Sequence, residues 1–98
     1  MTMNPCVYIL ANKKNGTIYT GVTSDLCKRI WEHKNKINDG FTKQYGVGML
    51  VYYKACDTME EAIILEKQIK AGSRKNKLLL IEEENPNWCD LYKELCSN

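Results

Sequence analysis

The hydrophobic positions change period several times along the chain, and each change marks an element. Cys6-Val7-Tyr8-Ile9-Leu10 is a β-branched and aromatic run of strand type. Asn12-Lys13-Lys14-Asn15-Gly16 is turn chemistry, because Asn15 and Gly16 tolerate positive φ, and Thr17-Ile18-Tyr19-Thr20-Gly21-Val22 is the returning strand. Together they predict an N-terminal hairpin. Thr23-Ser24-Asp25 offers capping side chains for a helix over about residues 26–36, which Asn38-Asp39-Gly40 ends. A loop rich in Gly and polar residues over 41–48 leads into a third strand over 49–54. Asp57 or Thr58 caps a second helix over about 59–70, with Glu60 and Glu61 in its favourable first turn. Ala71-Gly72-Ser73 breaks it. A third helix follows over about 75–84 and is stopped by Asn85-Pro86. Residues 87–95 suit a short final helix packing Trp88, Leu91, Tyr92 and Leu95.

The order β-β-α-β-α-α-α contains no internal repeat. A three-stranded sheet cannot cover its own faces, so the helices must flank it, giving an α+β fold with a small antiparallel sheet. The 98 residues suit one domain over 1–98, with its core at about 5–92. Apolar residues at 44% and charged residues at 27% exclude a disordered or fibrous chain. No apolar run approaches the ~18 residues that a membrane helix needs. The opening Met1-Thr2-Met3-Asn4-Pro5 lacks the charge and apolar run of a secretory leader, so a cytoplasmic location and no membrane partner are expected. The five cysteines have no zinc-knuckle spacing and are expected to be reduced and mostly buried. His33 is the single histidine, which rules out a histidine-rich metal site.

The formal net charge is only +2, but it is unevenly spread. Between Lys13 and Lys77 lie thirteen Lys or Arg against seven acids, a balance of +6; from Leu78 onward one lysine faces five acids, a balance of −4. A basic body with an acidic tail suits an anionic ligand of moderate affinity, although a solvated mixed surface accounts for the same counts.

Three groups of residues resist a purely structural account. With Ala62 at 0° and about 100° per residue, Ile69, Ile63 and Leu65 outline the apolar arc of the second helix, and Glu66 falls inside it at about 40°. A carboxylate there needs a partner or a cation. A bridge to Lys70 at i, i+4 is the plain alternative. On the first helix Arg29 and His33, four apart, border the apolar face marked by Leu26, Ile30 and Ile37. Such a pair can grip a phosphate through the guanidinium fork, or can be a snorkelling arginine beside a half-buried histidine. In the hairpin, Tyr8 and Tyr19 share a face if the loop holds an even number of residues and lie on opposite faces if it holds an odd number without a bulge.

Taken in order, these residues resemble the GIY-YIG nuclease superfamily, and in particular its small stand-alone single-domain bacterial members. Cys6-Val7-Tyr8 stands where the family has Gly-Ile-Tyr, and Tyr19-Thr20-Gly21 stands where it has Tyr-Ile-Gly. Arg29 and His33 match its helix motif, Glu66 its metal-binding glutamate, and Asn85-Pro86-Asn87-Trp88-Cys89-Asp90-Leu91 the closing motif of the small members. The match covers about residues 5–92 and departs from the first signature by losing its first glycine.

The resemblance implies metal-dependent hydrolysis of phosphodiester bonds in DNA, in repair or recombination. Glu66 would hold Mg²⁺ or Mn²⁺, with Mg²⁺ keeping part of its water shell. Arg29 would stabilise charge on the scissile phosphate, and Tyr8 would act as base or orient water if nearby positive charge lowers its pKa. Tyr19 and His33 would position water and phosphate, with His33 a possible proton relay. Gly21 would let backbone approach the phosphate, and Asn85, ahead of Asn87, would take the family's supporting asparagine role. Lys70, Arg74 and Lys75 would contact the nucleic-acid backbone. The DNA would be structured or branched. No second DNA-binding domain accompanies the match, which leaves room for a protein partner that supplies affinity. The alternatives are a non-catalytic nucleic-acid-binding module of the same fold and a structural or interaction protein with no nucleic-acid role. The sequence does not specify the oligomeric state.

Overall fold

The computed structural model describes residues 4–35, 40 and 44–96. Its strands are β1 (Cys6–Ala11), β2 (Ile18–Thr23) and β3 (Met49–Ala55); its helices are α1 (Leu26–Lys34), α2 (Met59–Ala71), α3 (Arg74–Glu84) and α4 (Tyr92–Cys96). The strands form one antiparallel sheet in the order β2-β1-β3, so the fold is α+β with the expected element order. Ile37, Asn38, Asp39 and residues 41–43 lie outside the described residues.

The central strand is buried from end to end. Strand alternation therefore makes it serve two cores. Val7, Ile9 and Ala11 face one side, where Val51, Ala62, Ile69, Ile81 and Trp88 pack on them. Cys6, Tyr8 and Leu10 face the other, against Leu26, Ile30, Val47 and Leu50. Helix α1 thus covers one face, and α2 and α3 cover the opposite one. A register shift between Ile9 and Leu10 leaves Val51 extra on β3, so that Val51 and Tyr52 both join the first core.

The helices begin where their capping side chains predict. Asp25 accepts from the Lys28 N–H at 3.3 Å, Thr58 from Glu61 N–H at 3.1 Å and Ser73 from Asn76 N–H at 3.1 Å. The hairpin turn closes through Asn12, whose Oδ1 accepts from the Thr17 N–H at 2.9 Å, and Asn15 takes φ 59°.

Three expectations are corrected. Ile63 is not a core residue: α2 buries the stripe of Ala62 and Ile69, leaving Ile63 36% and Ile64 58% exposed. The sheet is too narrow for a wider apolar arc to be covered. The final helix starts at Tyr92 rather than near residue 87, and Leu95 is exposed. Between them the chain is irregular, with Trp88 at φ 56°, because Asn85 supplies hydrogen bonds that a helix would make itself. Its buried amide donates to Val51 O at 3.1 Å and to Cys89 O at 2.9 Å, while its Oδ1 accepts from Cys89 N–H at 3.0 Å. Finally, the cysteines are not all reduced. Cys27 on α1 and Cys96 on α4 form a disulfide across 69 residues, while Cys6, Cys56 and Cys89 are free. Closing a loop of that length stabilises by up to about 4 kcal/mol in the chain-entropy account. It holds in place a short helix that buries none of its own residues.

Asp90 anchors the same closing segment. It pairs with Lys34 of α1 and accepts from the N–H groups of Leu50 and Tyr92, both at 3.1 Å. Burial raises its pKa, but these hydrogen bonds outweigh it and hold the carboxyl below its usual range.

Asn85→Ala is expected to lower stability by about 2–4 kcal/mol in urea unfolding, because three hydrogen bonds, one buried and two partly buried, lose their partner. The folded variant should bind DNA as the wild type does. Lost DNA affinity at unchanged stability would return Asn85 to a ligand-binding role.

Candidate active site

The hairpin register builds the site from its centre outwards. Tyr8 pairs with Gly21 and Leu10 with Tyr19, which puts both tyrosines on the α1 side of the sheet. The six residues between Ala11 and Ile18 form the even-numbered loop that this arrangement requires. Gly21 is needed here for space. A Cβ on it would lie 2.5 Å from Tyr8 Oη, 2.6 Å from Tyr8 Cζ and 3.0 Å from Tyr19 Cε2. The room that the glycine leaves is filled by the Tyr8 ring, which lies across β2 and is fully buried.

Helix α1 reaches the same point from above. His33 Nε2 is 3.1 Å from Tyr8 Oη in a buried hydrogen bond. The three rings form a triangle, with centroids 6.4 Å apart for Tyr8 and Tyr19, 5.9 Å for Tyr8 and His33, and 5.8 Å for Tyr19 and His33. One turn earlier, Arg29 lies beside Tyr8 and is steadied by Glu32, its Nε 3.4 Å from Glu32 Oε1. Helix α2 packs on the far face of the sheet yet runs along the β2 edge, so its side chains can reach round that edge. Lys70 Nζ stands 5.9 Å from the Tyr19 ring centroid and 2.9 Å from Glu66 Oε2. Glu66 is near enough to act electrostatically on the Tyr8 hydroxyl.

Burial keeps the centre of this cluster uncharged. It pushes the Tyr8 phenol well above its ordinary pKa, with Tyr19 adding to the shift; the Arg29 guanidinium, close enough to hydrogen-bond Tyr8, opposes it, and Glu66 raises it further. Tyr8 therefore keeps its proton at neutral pH. Burial also lowers the His33 pKa below its ordinary 6.5, helped by Arg29 and opposed by Glu32, so the imidazole is neutral at pH 7. A neutral phenol faces a neutral imidazole, flanked by Arg29 on one side and the Glu66–Lys70 pair on the other.

Beside Tyr19 a shallow groove of about 470 Å³ runs along the outer edge of β2, lined by Ile18, Tyr19, Thr20, Lys70, Arg74 and Lys77. Arg74 is fixed there by donating to Asn15 O at 3.0 Å and Gly16 O at 2.7 Å. Lys77 donates to Lys70 O at 3.2 Å and Gly72 O at 2.8 Å. The arrangement places three cations in one groove next to the tyrosine cluster.

Of the residues singled out in the sequence, Tyr8, Tyr19, Gly21, Arg29, His33 and Glu66 meet around the Tyr8 hydroxyl, and Lys70 and Arg74 extend the group along the groove. Lys75 is exposed and does not line the groove. Lys77 does, and its spacing of one turn from Arg74 on α3 was the available signal. Asn85 sits by β3, across β1 from the β2 edge, with its amide engaged inside the fold.

As for a metal, among the described residues no group of three or more His, Cys, Asp or Glu side chains forms a protein cage. A lone carboxylate, 13% exposed and already drawing an ammonium to 2.9 Å, fits a hard divalent cation that keeps most of its water.

This pairing of an open hairpin, a helix carrying Arg and His, and a glutamate reaching round the sheet edge defines a class of catalytic domain. The chain belongs to the GIY-YIG family: residues 4–78 match the GIY-YIG catalytic domain. It is similar to a UPF0213 protein of Staphylococcus saprophyticus, 43% identical over 70 residues that cover 71% of this chain and 85% of the relative. A UPF0213 protein of Clostridium perfringens is 38% identical over 91% of this chain and 95% of its own length. Among solved structures, the solution NMR structure of the UPF0213 protein BH0048 from Bacillus halodurans matches with a TM-score of 0.56 and 34% identity, covering 93% of this chain and 96% of that one.

Gly21→Ala is expected to cost about 1–3 kcal/mol of stability, since Tyr8 is buried and bonded to His33 and cannot simply swing aside. Urea unfolding and the near-ultraviolet tyrosine signal check it. An unchanged midpoint would mean that the Tyr8 ring is not held against β2.

Proposed function

We propose that this protein is a divalent-metal-dependent endonuclease that hydrolyses phosphodiester bonds in structured or branched DNA during repair or recombination, acting in the cytoplasm. The observation that carries this reading is the convergence of Tyr8, Tyr19, His33, Arg29 and Glu66, drawn from two strands and two helices, around one hydroxyl.

The chemistry follows from that arrangement. A water oxygen attacks phosphorus and the bond to the departing sugar oxygen breaks, the sugar oxygen taking a proton from solvent. Because Tyr8 is held protonated, it cannot begin as a base. Fully buried, it does not touch the water either: it bonds His33 Nε2, 3.1 Å away, and holds the neutral imidazole, which reaches the surface and takes the water's proton. The Arg29 fork stabilises the charge that grows on the non-bridging oxygens. Tyr19 orients the water and the phosphate. Glu66 would hold Mg²⁺ or Mn²⁺, which would supply Lewis acidity to the reaction. Lys70, Arg74 and Lys77 hold neighbouring phosphates without reading sequence. With a net charge of +2 the chain binds DNA weakly by itself, which fits a protein partner that adds affinity.

The test is cleavage of labelled duplex, single-stranded, flap and four-way-junction DNA at low salt with Mg²⁺ or Mn²⁺, wild type beside Glu66→Ala. Cleavage by the wild type should fall at least about a hundredfold in the variant while circular dichroism stays unchanged. Wild-type activity should also fade on the acid side. Proton abstraction needs neutral His33, whose pKa lies below 6.5, so the rate is full above that pH and falls once the imidazole takes a proton. A gel shift without cleavage in either metal would instead make the protein a non-catalytic nucleic-acid-binding module.

A further inference from the structure

The three groove cations are not held alike. Arg74 and Lys77 donate to backbone carbonyl groups, which no ligand can carry away. Lys70 instead rests on a carboxylate, the Glu66 oxygen at 2.9 Å, one helical turn back. The lysine side chain is 51% exposed and the glutamate 13%. Thus the carboxylate is fixed in the site while the ammonium, on a flexible four-carbon stem, is free to pivot. The same ammonium lies over Tyr19 and lines the groove. It can serve Glu66 or a phosphate in the groove, and a divalent cation on Glu66 would push it toward the second.

We propose that Lys70 is an exchangeable counter-ion, which neutralises Glu66 while no metal is bound and moves to a nucleic-acid phosphate when a divalent cation takes the carboxylate. The inference rests on the reading of Glu66 as the metal ligand. It couples the two ligands: metal binding releases a cation for DNA, and DNA, by drawing Lys70 away, strengthens metal binding by the same factor. The Glu66–Lys70 pair is partly solvated, so the expected effect is modest, roughly two- to five-fold.

Two measurements on wild type, Lys70→Met, Glu66→Gln and the double variant test it. The first is Mn²⁺ affinity without DNA, read from the electron paramagnetic resonance signal of free Mn²⁺. Lys70→Met should bind Mn²⁺ roughly two- to five-fold more tightly than wild type, because the competing ammonium is gone. The second is the anisotropy of a labelled short duplex in a metal chelator. Glu66→Gln removes a negative charge in any background, so its general gain in DNA affinity is read with Met at position 70. The gain with Lys70 present should exceed that by roughly two-fold or more, since Lys70 is then released. Lys70 is exposed, and circular dichroism verifies that all four chains are folded. Equal Mn²⁺ affinity in wild type and Lys70→Met, or equal DNA gains in the two backgrounds, overturns the exchange while a loss of Mn²⁺ binding in Glu66→Gln keeps the metal reading intact. Mn²⁺ binding undiminished in Glu66→Gln overturns both.

Discussion

The hydrogen bond between Tyr8 and His33 is the constraint on which the site depends. It joins the central strand to the helix above it, across 25 residues of sequence. It forms only if three separate conditions hold. The hairpin must pair Tyr8 with Gly21, because a slip of one residue would turn every side chain of β1 to the other face. Position 21 must lack a side chain, because the phenol occupies that space. And α1 must sit on the face of Leu26 and Ile30, which aims His33 downward and leaves Arg29 at the rim. The same interactions that build the smaller core therefore set the chemistry.

Charge is arranged around that neutral centre rather than within it. Arg29 and Lys70 are partly exposed, and Glu66 lies at the border, where solvent and ligands reach it. A buried carboxylate in the middle of the cluster would pay a desolvation penalty of several kcal/mol. At the edge it can wait with a lysine for a partner. The far face of the sheet carries the larger core, with Ile81, Trp88 and Ala62, and the closing segment joins β3 through Asn85 and α1 through Asp90. Stability and chemistry are thus divided between the two faces of a three-stranded sheet.

Much of this was legible in the chain. Periodicity and capping residues placed three strands and the longer helices, and the order of tyrosines, arginine, histidine and glutamate matched a family whose catalytic domain the chain carries. What could not be read was whatever depends on distance in sequence. The hairpin register turned on a loop count that turn residues leave ambiguous. The Cys27–Cys96 bridge spans 69 residues, and no spacing rule joins such a pair. Lys77 was hidden because the Gly72 break separates it from Lys70, although the groove brings them together. Asn85 stood out from its motif alone, and the motif does not convey that its side chain makes three hydrogen bonds to Val51 and Cys89 in an irregular segment. Helical angles also placed Ile63 in the core, but the sheet offers it nothing to pack against.

His33 is the single histidine of the chain, so a nitrogen-15 histidine label reports on one imidazole. Its titration, followed by NMR in wild type and Tyr8→Phe, tests the central pair most directly. The imidazole should be neutral at pH 7, titrate below 6.5 because of burial and Arg29, and change its ring-nitrogen shifts when the Tyr8 hydroxyl that bonds Nε2 is removed. A His33 that titrates at or above 6.5 in the wild type and is indifferent to Tyr8→Phe would contradict this.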